Sequence, residues 1–218
     1  MADVRRRLDE LRDVTRRAAE WIQGNCARDE RNLFLHNLVA AALPYLDVAA
    51  RESEGPTQVL AFCTRSIFEL ELRAHHLLHV PDGLEGWKAE FLRDSIEILE
   101  GLLTLRQPES ESHAKVLEVE LQRLRTLGTA HGVKSDGKLL GAGDLARAVG
   151  RRDEYVGMFK LYSKLVHPTA YSVNKPATDV QGGDVRNVLL VQLQLYAWSL
   201  LGRVGAAAGI PDELMAQK

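Results

Sequence analysis

The chain has 218 residues, of which 45% are hydrophobic and 27% are charged, and its formal net charge is −2. These fractions are ordinary for a globular protein, and the length is sufficient to bury a large core. The charge balance excludes the strong basic excess that usually accompanies phosphate-backbone binding, although a local basic strip is still compatible with it.

Almost every segment has the apolar spacing of an α-helix, and no run of alternating β-branched residues indicates a strand. We therefore predict an all-α protein. Short connections between the helices favour an antiparallel helical bundle, in which residues 1–55 form an N-terminal helical extension and residues 56–218 form the bundle. In chain order, helices are predicted over 3–23, 29–51, 57–80, 84–105, a stretch carrying Val116 and Leu127, 145–149, 155–167 and a last helix capped by Asp184.

Three features predict a cytoplasmic protein without a membrane span. The N-terminus opens with Ala-Asp-Val-Arg and has no apolar region typical of a secretory signal. The apolar run 185–204 contains Arg186 and Arg203, which favours a core helix. Cys26 and Cys63 lie in helical contexts that suit a reducing compartment.

The first predicted helix, residues 3–23, is amphipathic with a charged outer face. The remaining helices of a bundle would leave part of its apolar stripe uncovered. We therefore predict a homodimer.

The predicted helix 57–80 is apolar on almost every side, yet it carries Arg65, Glu69 and His76 on one face. A charge inside a protein needs a partner or an opening to solvent, because burying it alone costs several kcal/mol. Arg65 and Glu69 are four residues apart and can pair with each other. They are either a structural ion pair or, with His76, the lining of a ligand pocket.

The same helix also carries Glu71, His75 and His79 at one-turn spacing, which is compatible with metal ligation. Histidines near the C-terminus of a helix are equally explained by the helix dipole. The main hypothesis contains no metal and no cofactor, and a helical metalloenzyme is kept as an alternative.

The segment Tyr155–Pro168 is predicted to be one helix stopped by a histidine–proline pair. Lys160, Ser163 and His167 share a polar strip beside an apolar stripe that includes Tyr162. Imidazole is the usual general acid–base near neutral pH, and a lysine could hold a phosphate. We predict His167, Lys160, Ser163 and Arg65 as the catalytic set, and Glu69, Tyr162 and His76 as pocket residues.

Two blocks of sequence resemble a widespread bacterial all-α family of unknown function. The first is Arg65-Ser-Ile-Phe-Glu69, which has the family's R-x-x-x-E pattern. The second combines Gly137-Lys138, the short helix 144–149, Tyr155 and Tyr162-Ser163-x-x-x-His167-Pro168-Thr169. The resemblance runs from about Val59 to Tyr171.

That family is in turn similar to HEPN domains, which are helical bundles that often act as metal-independent ribonucleases. The resemblance implies a histidine that activates the ribose 2′-hydroxyl and an arginine that assists at the phosphate. Here Lys160 precedes His167 with six intervening residues, and no arginine stands at the HEPN spacing. Arg65 could supply that charge from the neighbouring helix.

Two functions follow from this resemblance. One is a non-catalytic HEPN-like module that binds a nucleotide, a small ligand or a partner protein. The other is a metal-independent RNA endonuclease of the toxin or phage-defence type, with RNA as its partner.

Overall fold

The computed structural model describes residues 2–105, 111–133, 140–174 and 183–216. Every regular element in these ranges is helical, which confirms the all-α prediction. In chain order they are α1 (Ala2–Asn25), α2 (Glu30–Arg51), α3 (Thr57–His79), α4 (Gly83–Thr104), α5 (Glu111–Ala130), α6 (Ala142–Ala148), α7 (Arg152–Glu154), the π-helical segment π1 (Tyr155–Phe159), α8 (Lys160–Val166), α9 (Ala170–Asn174), α10 (Gly183–Ala208) and α11 (Asp212–Met215).

The chain divides into two compact units. The larger unit contains Met1–Val80 and Ala142–Lys218, and the smaller unit contains Pro81–Gly141. Residues on both sides of position 55 belong to the larger unit, so the predicted N-terminal extension shares one packing unit with the helices that carry the candidate site.

Helix α3 is central to the larger unit, as its apolar sequence predicts. It packs against α10, α2, α8 and α6. Helix α1 packs against α2 and α10. Its apolar stripe is covered within the same chain, because Leu8 and Leu11 have no exposed surface and Val14 has 1%. The reason given above for a homodimer, an uncovered stripe on this helix, is therefore wrong.

Helix α3 begins at Thr57, as predicted, and Pro56 occupies the cap position. Asp144 lies in the first turn of α6, which begins two residues earlier, and its carboxylate accepts a hydrogen bond from Arg147. Asp29, by contrast, caps α2 by accepting a hydrogen bond from the Asn32 amide at 2.8 Å.

The predicted helix 155–167 is interrupted at its start. Residues Tyr155–Phe159 form the π-helical segment π1, whose turn is wider than that of an α-helix. Helix α8 then ends at Val166, and His167 is extended (φ −89°, ψ 149°), as the following proline requires. The buried face therefore consists of Phe159, Tyr162 and Leu165.

The smaller unit contains α4 and α5, which pack against each other. Gly128 permits a close approach, because a Cβ at this position would lie 3.0 Å from Leu92 Cδ2. The Gly137-Lys138 element of the family resemblance lies outside the described residues.

Two described helices, α2 and α10, are long and apolar enough to cross a membrane by length and composition alone. This is weak evidence, since core helices pass the same test. More than half of the most apolar window of α10, 56%, is buried inside the protein. The cytoplasmic localisation stays a prediction.

Candidate functional site

The packing of α3 against α8 brings Arg65 to His167. The Arg65 Nη1 atom lies 3.4 Å from His167 Nε2, although 102 residues separate them in the chain. Arg65 therefore reaches His167 from a neighbouring helix, as the sequence analysis suggests.

Two contacts fix the Arg65 guanidinium in place. Its Nε donates a hydrogen bond to Glu69 Oε1 at 3.0 Å, and its Cζ lies 4.5 Å from the centroid of the Phe159 ring. Phe159 itself stacks on Tyr155, with ring centroids 4.6 Å apart. This support limits the rotamers of a side chain that would otherwise be flexible, so the guanidinium is presented in a defined position.

The Arg65–Glu69 pair is not buried, which differs from its interpretation as a structural ion pair inside the protein. The exposed fractions of the two side chains are 28% and 39%. The pair lies on a side of α3 that α8 covers only in part, so solvent reaches both charges. A partly solvated pair of this kind contributes little to stability.

The backbone of His167 is held firmly while its side chain is exposed. Its amide donates to the Ser163 carbonyl at 3.1 Å, and its carbonyl accepts from Ser172 Oγ at 2.9 Å. Thr169 and Ser172 cap each other reciprocally, since the amide of each donates to the hydroxyl oxygen of the other. The imidazole is therefore displayed from a fixed turn.

The contact between Arg65 and His167 is a hydrogen bond when the ring proton lies on Nδ1. A guanidinium has only donors, so His167 Nε2 is the acceptor in that tautomer. In this arrangement the site presents N–H donors from both side chains. Such a set is suited to an anion.

Lys160 and Ser163 lie on α8 before His167. Lys160 is exposed and is seven residues from His167, about 10 Å along the helix axis. Ser163 is half-buried one turn before His167, and its carbonyl forms the bond described above. Within the described residues the Lys160 side chain forms no hydrogen bond or ion pair, and its charge lies in solvent.

Tyr162 and His76 were predicted to line the pocket, but they lie away from this cluster. Tyr162 has no exposed surface, and its hydroxyl lies 3.4 Å from that of Tyr196. Burial raises the pKa of Tyr162 to about 12. His76 is 9% exposed and follows Arg65 by eleven residues, about 16 Å along α3. The fully buried Tyr162 therefore offers no surface to a ligand.

A second polar network was not predicted, and it lies deep in the larger unit. The Glu71 side chain has no exposed surface. Its Oε1 accepts from Ser199 Oγ at 2.8 Å and from Arg203 Nε at 3.0 Å, and its Oε2 accepts from Arg151 Nη1. Arg151 also donates to Glu154 at 2.7 Å. The sequence contains one signal for this network. Two arginines lie in or beside apolar helices, and an arginine in such surroundings needs an internal carboxylate as its partner.

This network overturns the metal-ligand reading of Glu71, His75 and His79. Both carboxylate oxygens of Glu71 are engaged by guanidinium groups, and His79 Nδ1 lies 3.1 Å from the carbonyl of His75. Burial lowers the pKa of His75, and the nearby Arg203 charge adds to this effect. Among the described residues, no group of three or more His, Cys, Asp or Glu side chains is placed to hold a metal ion.

Several residues that carry the family resemblance are close together in space. Arg65, Glu69 and His167 are linked by hydrogen bonds, and Tyr155 supports Arg65 through Phe159. The resemblance itself rests on sequence motifs alone. No protein-family model, curated protein sequence or solved structure matches this chain.

Proposed function

We propose that the protein is an antiparallel, HEPN-like helical bundle that binds a nucleotide or another small phosphate-bearing ligand without transforming it. The observation that carries this proposal is the contact between Arg65 Nη1 and His167 Nε2 on a solvent-reachable surface. Both groups can turn a donor toward an anion placed beside them.

The surroundings of the pair support phosphate binding over base catalysis. A general base needs a free lone pair, and His167 Nε2 faces the Arg65 guanidinium at 3.4 Å. The exposed side chains of Lys160 and Lys164 add positive charge along α8. The Arg65 guanidinium packs against the ring of Phe159, which in turn stacks on Tyr155.

Calorimetric titration with adenosine 5′-monophosphate and with adenosine tests this proposal. Charged hydrogen bonds are worth about 1.5–3 kcal/mol, so the phosphate should improve affinity by at least about tenfold. Arg65→Gln and His167→Ala should each remove most of that difference. Arg6→Gln is the matched control, because Arg6 also pairs with a glutamate four residues later, Glu10, on an exposed face. Equal affinities for the two ligands, or unchanged binding by Arg65→Gln, would contradict the proposal.

A metal-independent RNA endonuclease is the second candidate, favoured by the exposure of His167 beside an arginine. When a phosphate replaces the mutual hydrogen bond, His167 is free to take the proton of the ribose 2′-hydroxyl. The 2′-oxygen then attacks phosphorus to form a 2′,3′-cyclic phosphate, the bond to the 5′-oxygen breaks, and that oxygen takes a proton from the protonated His167. Arg65 offsets the charge on the phosphate.

Cleavage of a single-stranded RNA in the presence of EDTA tests this second candidate. The product should carry a 2′,3′-cyclic phosphate, and His167→Ala should lower the rate by at least about 10²-fold. Activity that survives in His167→Ala would indicate a contaminating nuclease. If the wild-type protein cleaves nothing, only the binding function stands.

We also propose that the protein is a homodimer that pairs through an exposed apolar face of α10, and not through the apolar stripe of α1. Helix α10 exposes Val188 (44%), Val191 (46%) and Leu195 (57%), and Trp198 and Gly202 continue the same three- and four-residue spacing. Two copies can pair antiparallel through this face with Leu195 at the centre of the contact, so that Val188 of one copy faces Gly202 of the other. The space beside Gly202 is open, because a Cβ built there would meet no neighbouring atom of its own chain.

Light scattering at micromolar concentration tests this association. Leu195→Glu should convert a dimer to a monomer, since it places a charge at the centre of the contact. Leu33→Glu is the control, because Leu33 is equally exposed (56%) but lies on α2. A monomeric wild-type protein would rule out the dimer.

A further inference from the structure

The smaller unit contains a cleft that the proposed function does not use. Its volume is about 370 Å³, within the range of small-molecule sites. The cleft is lined by residues of α4, of α5 and of the turn that follows α5: Leu92, Arg93, Ile96, Glu100, Arg125, Gly128, Thr129 and Val133.

Arg93 brings an unsatisfied charge to this cleft. Its Nε donates to the Ala89 carbonyl at 3.3 Å, but its Nη1 is buried and has no hydrogen-bond partner within the described part of the chain. Leaving a donor of a charged group without a partner costs more than leaving a neutral one. An anion that enters the cleft would pair with the guanidinium charge that Arg93 brings to its wall.

Two described acids of α4 near this cleft do not pair with Arg93. Glu100, the acid that lines the cleft, is bound by Arg125 at 2.6 Å, so its charge is already offset. Glu97 lies one turn after Arg93 on α4, but it is exposed and forms no ion pair with Arg93. Within the described residues, no ion pair offsets the charge of Arg93.

The rest of the lining is mainly apolar. Leu92, Ile96 and Val133 border the space beside Arg93, and the missing side chain of Gly128 lets α5 approach Leu92 closely. A ligand that matches this lining has an anionic head and a small apolar body.

We propose that this cleft is a binding site for a small organic anion. The carboxylate or phosphate of the ligand accepts hydrogen bonds from Arg93, and its apolar body lies against Leu92, Ile96 and Val133. The site is independent of the Arg65–His167 pair and shares no residue with it.

Titration of the full chain with benzoate and with benzamide tests the proposal, because the two probes have the same ring and differ in charge. Benzoate should bind at least about tenfold more tightly than benzamide, the effect of one charged hydrogen bond. Arg93→Gln should reduce benzoate to the affinity of benzamide. Arg123→Gln should change nothing, since Arg123 is an exposed α5 residue paired with Glu120 outside the cleft.

Backbone NMR chemical shifts of the wild-type protein locate the site, and they test the proposal even if Arg93→Gln does not fold. Benzoate should shift the amides of Gly128 and Val133 in the wild-type protein. Shifts confined to other regions, including the Arg65–His167 surface, would overturn the proposal. Equal affinity for the two probes, or full benzoate affinity in a folded Arg93→Gln variant, would also overturn it.

Discussion

Two arginine–glutamate clusters on helix α3 differ in almost every physical respect. Glu69 and Glu71 are two residues apart, so their side chains leave the helix about 200° apart. Glu69 faces the partly solvated side and binds one arginine, Arg65, on its own helix. Glu71 faces the interior and binds Arg151 and Arg203, which come from other segments.

The difference shows how the same residue types separate into structural and ligand-binding roles. Each Glu71 oxygen is satisfied within the chain and no solvent reaches the carboxylate, so the network joins helices and has no capacity for a ligand. The Arg65 cluster keeps donors at the surface. Removing one member of a buried network leaves an uncompensated charge, whereas removing one member of a solvated pair lets water replace it.

The largest predicted effect is that of Glu71→Ala. It should destabilise the protein by about 3–5 kcal/mol, because it leaves two partly buried arginines without their carboxylate. Urea unfolding at neutral pH measures this value. A loss below about 1 kcal/mol would mean that the two clusters are energetically alike.

Gly143→Ala tests whether the exposed cluster depends on the packing beneath it. A Cβ at Gly143 would lie 3.0–3.2 Å from the Tyr155 ring, which supports Phe159 and hence Arg65. We expect a loss of about 1–3 kcal/mol from overpacking and weaker binding of adenosine 5′-monophosphate. Gly101→Ala, in open space on α4, should instead stabilise by about 0.5–1 kcal/mol. Unchanged stability and binding in Gly143→Ala would show that the support from Tyr155 is dispensable.

Alkaline unfolding tests the buried interior that adjoins the Glu71 network. Burial raises the pKa of Tyr162 from 10.0 to about 12, so folding favours its neutral form. The corresponding stability is complete below pH 10 and is lost as the pH rises toward 12. At pH 11 the loss is about 1.4 kcal/mol, since one pKa unit corresponds to 1.36 kcal/mol.

Urea unfolding at pH 9 and pH 11 measures this effect. Tyr162→Phe should lose less stability between the two values than the wild type does, by about 1 kcal/mol or more. Buried Cys63, whose pKa burial raises to about 11, contributes equally to both proteins. Tyr171→Phe, at an exposed tyrosine, is the control. Identical pH dependence in the wild type and Tyr162→Phe would mean that Tyr162 ionises alike in the folded and unfolded chains.

The smallest predicted effect is that of Glu69→Ala, which should cost less than about 1 kcal/mol, as is usual for a partly solvated pair. The same variant should weaken binding of adenosine 5′-monophosphate, because Arg65 loses the acceptor that orients it. A loss as large as that of Glu71→Ala would remove the distinction between the two clusters.

The features that local periodicity determines could be predicted from the sequence. Apolar spacing is sufficient to identify α1 and α3, and the motif residues are sufficient to suggest that Arg65 lies on a helix beside His167. The partners of Glu71 could not be predicted in the same way. Arg151 and Arg203 are 80 and 132 residues away, and helical spacing on α3 does not specify which distant side chains face it.

The degree of burial of the Arg65–Glu69 pair could not be predicted from the sequence either. An apolar helix with one charged pair is compatible with burial or with a solvent-facing edge, and only the coverage by α8 decides between them. The π-helical segment left no local signal either, since Tyr155–Phe159 fits α-helical spacing equally well.

The π-helical segment has a consequence for how this protein tolerates insertions and deletions. Arg151 anchors the chain just before π1, and His167 ends the helix that follows it. The wide turn of π1 accommodates one residue more than an α-helical turn does. Deleting Gly157 would let this turn close as an α-helix and leave the direction of His167 nearly unchanged. A one-residue deletion within α8, which contains no such wide turn, would instead rotate His167 by about 100° relative to the anchor and turn it away from Arg65. A change of one residue in length is therefore tolerated in π1 but not in α8.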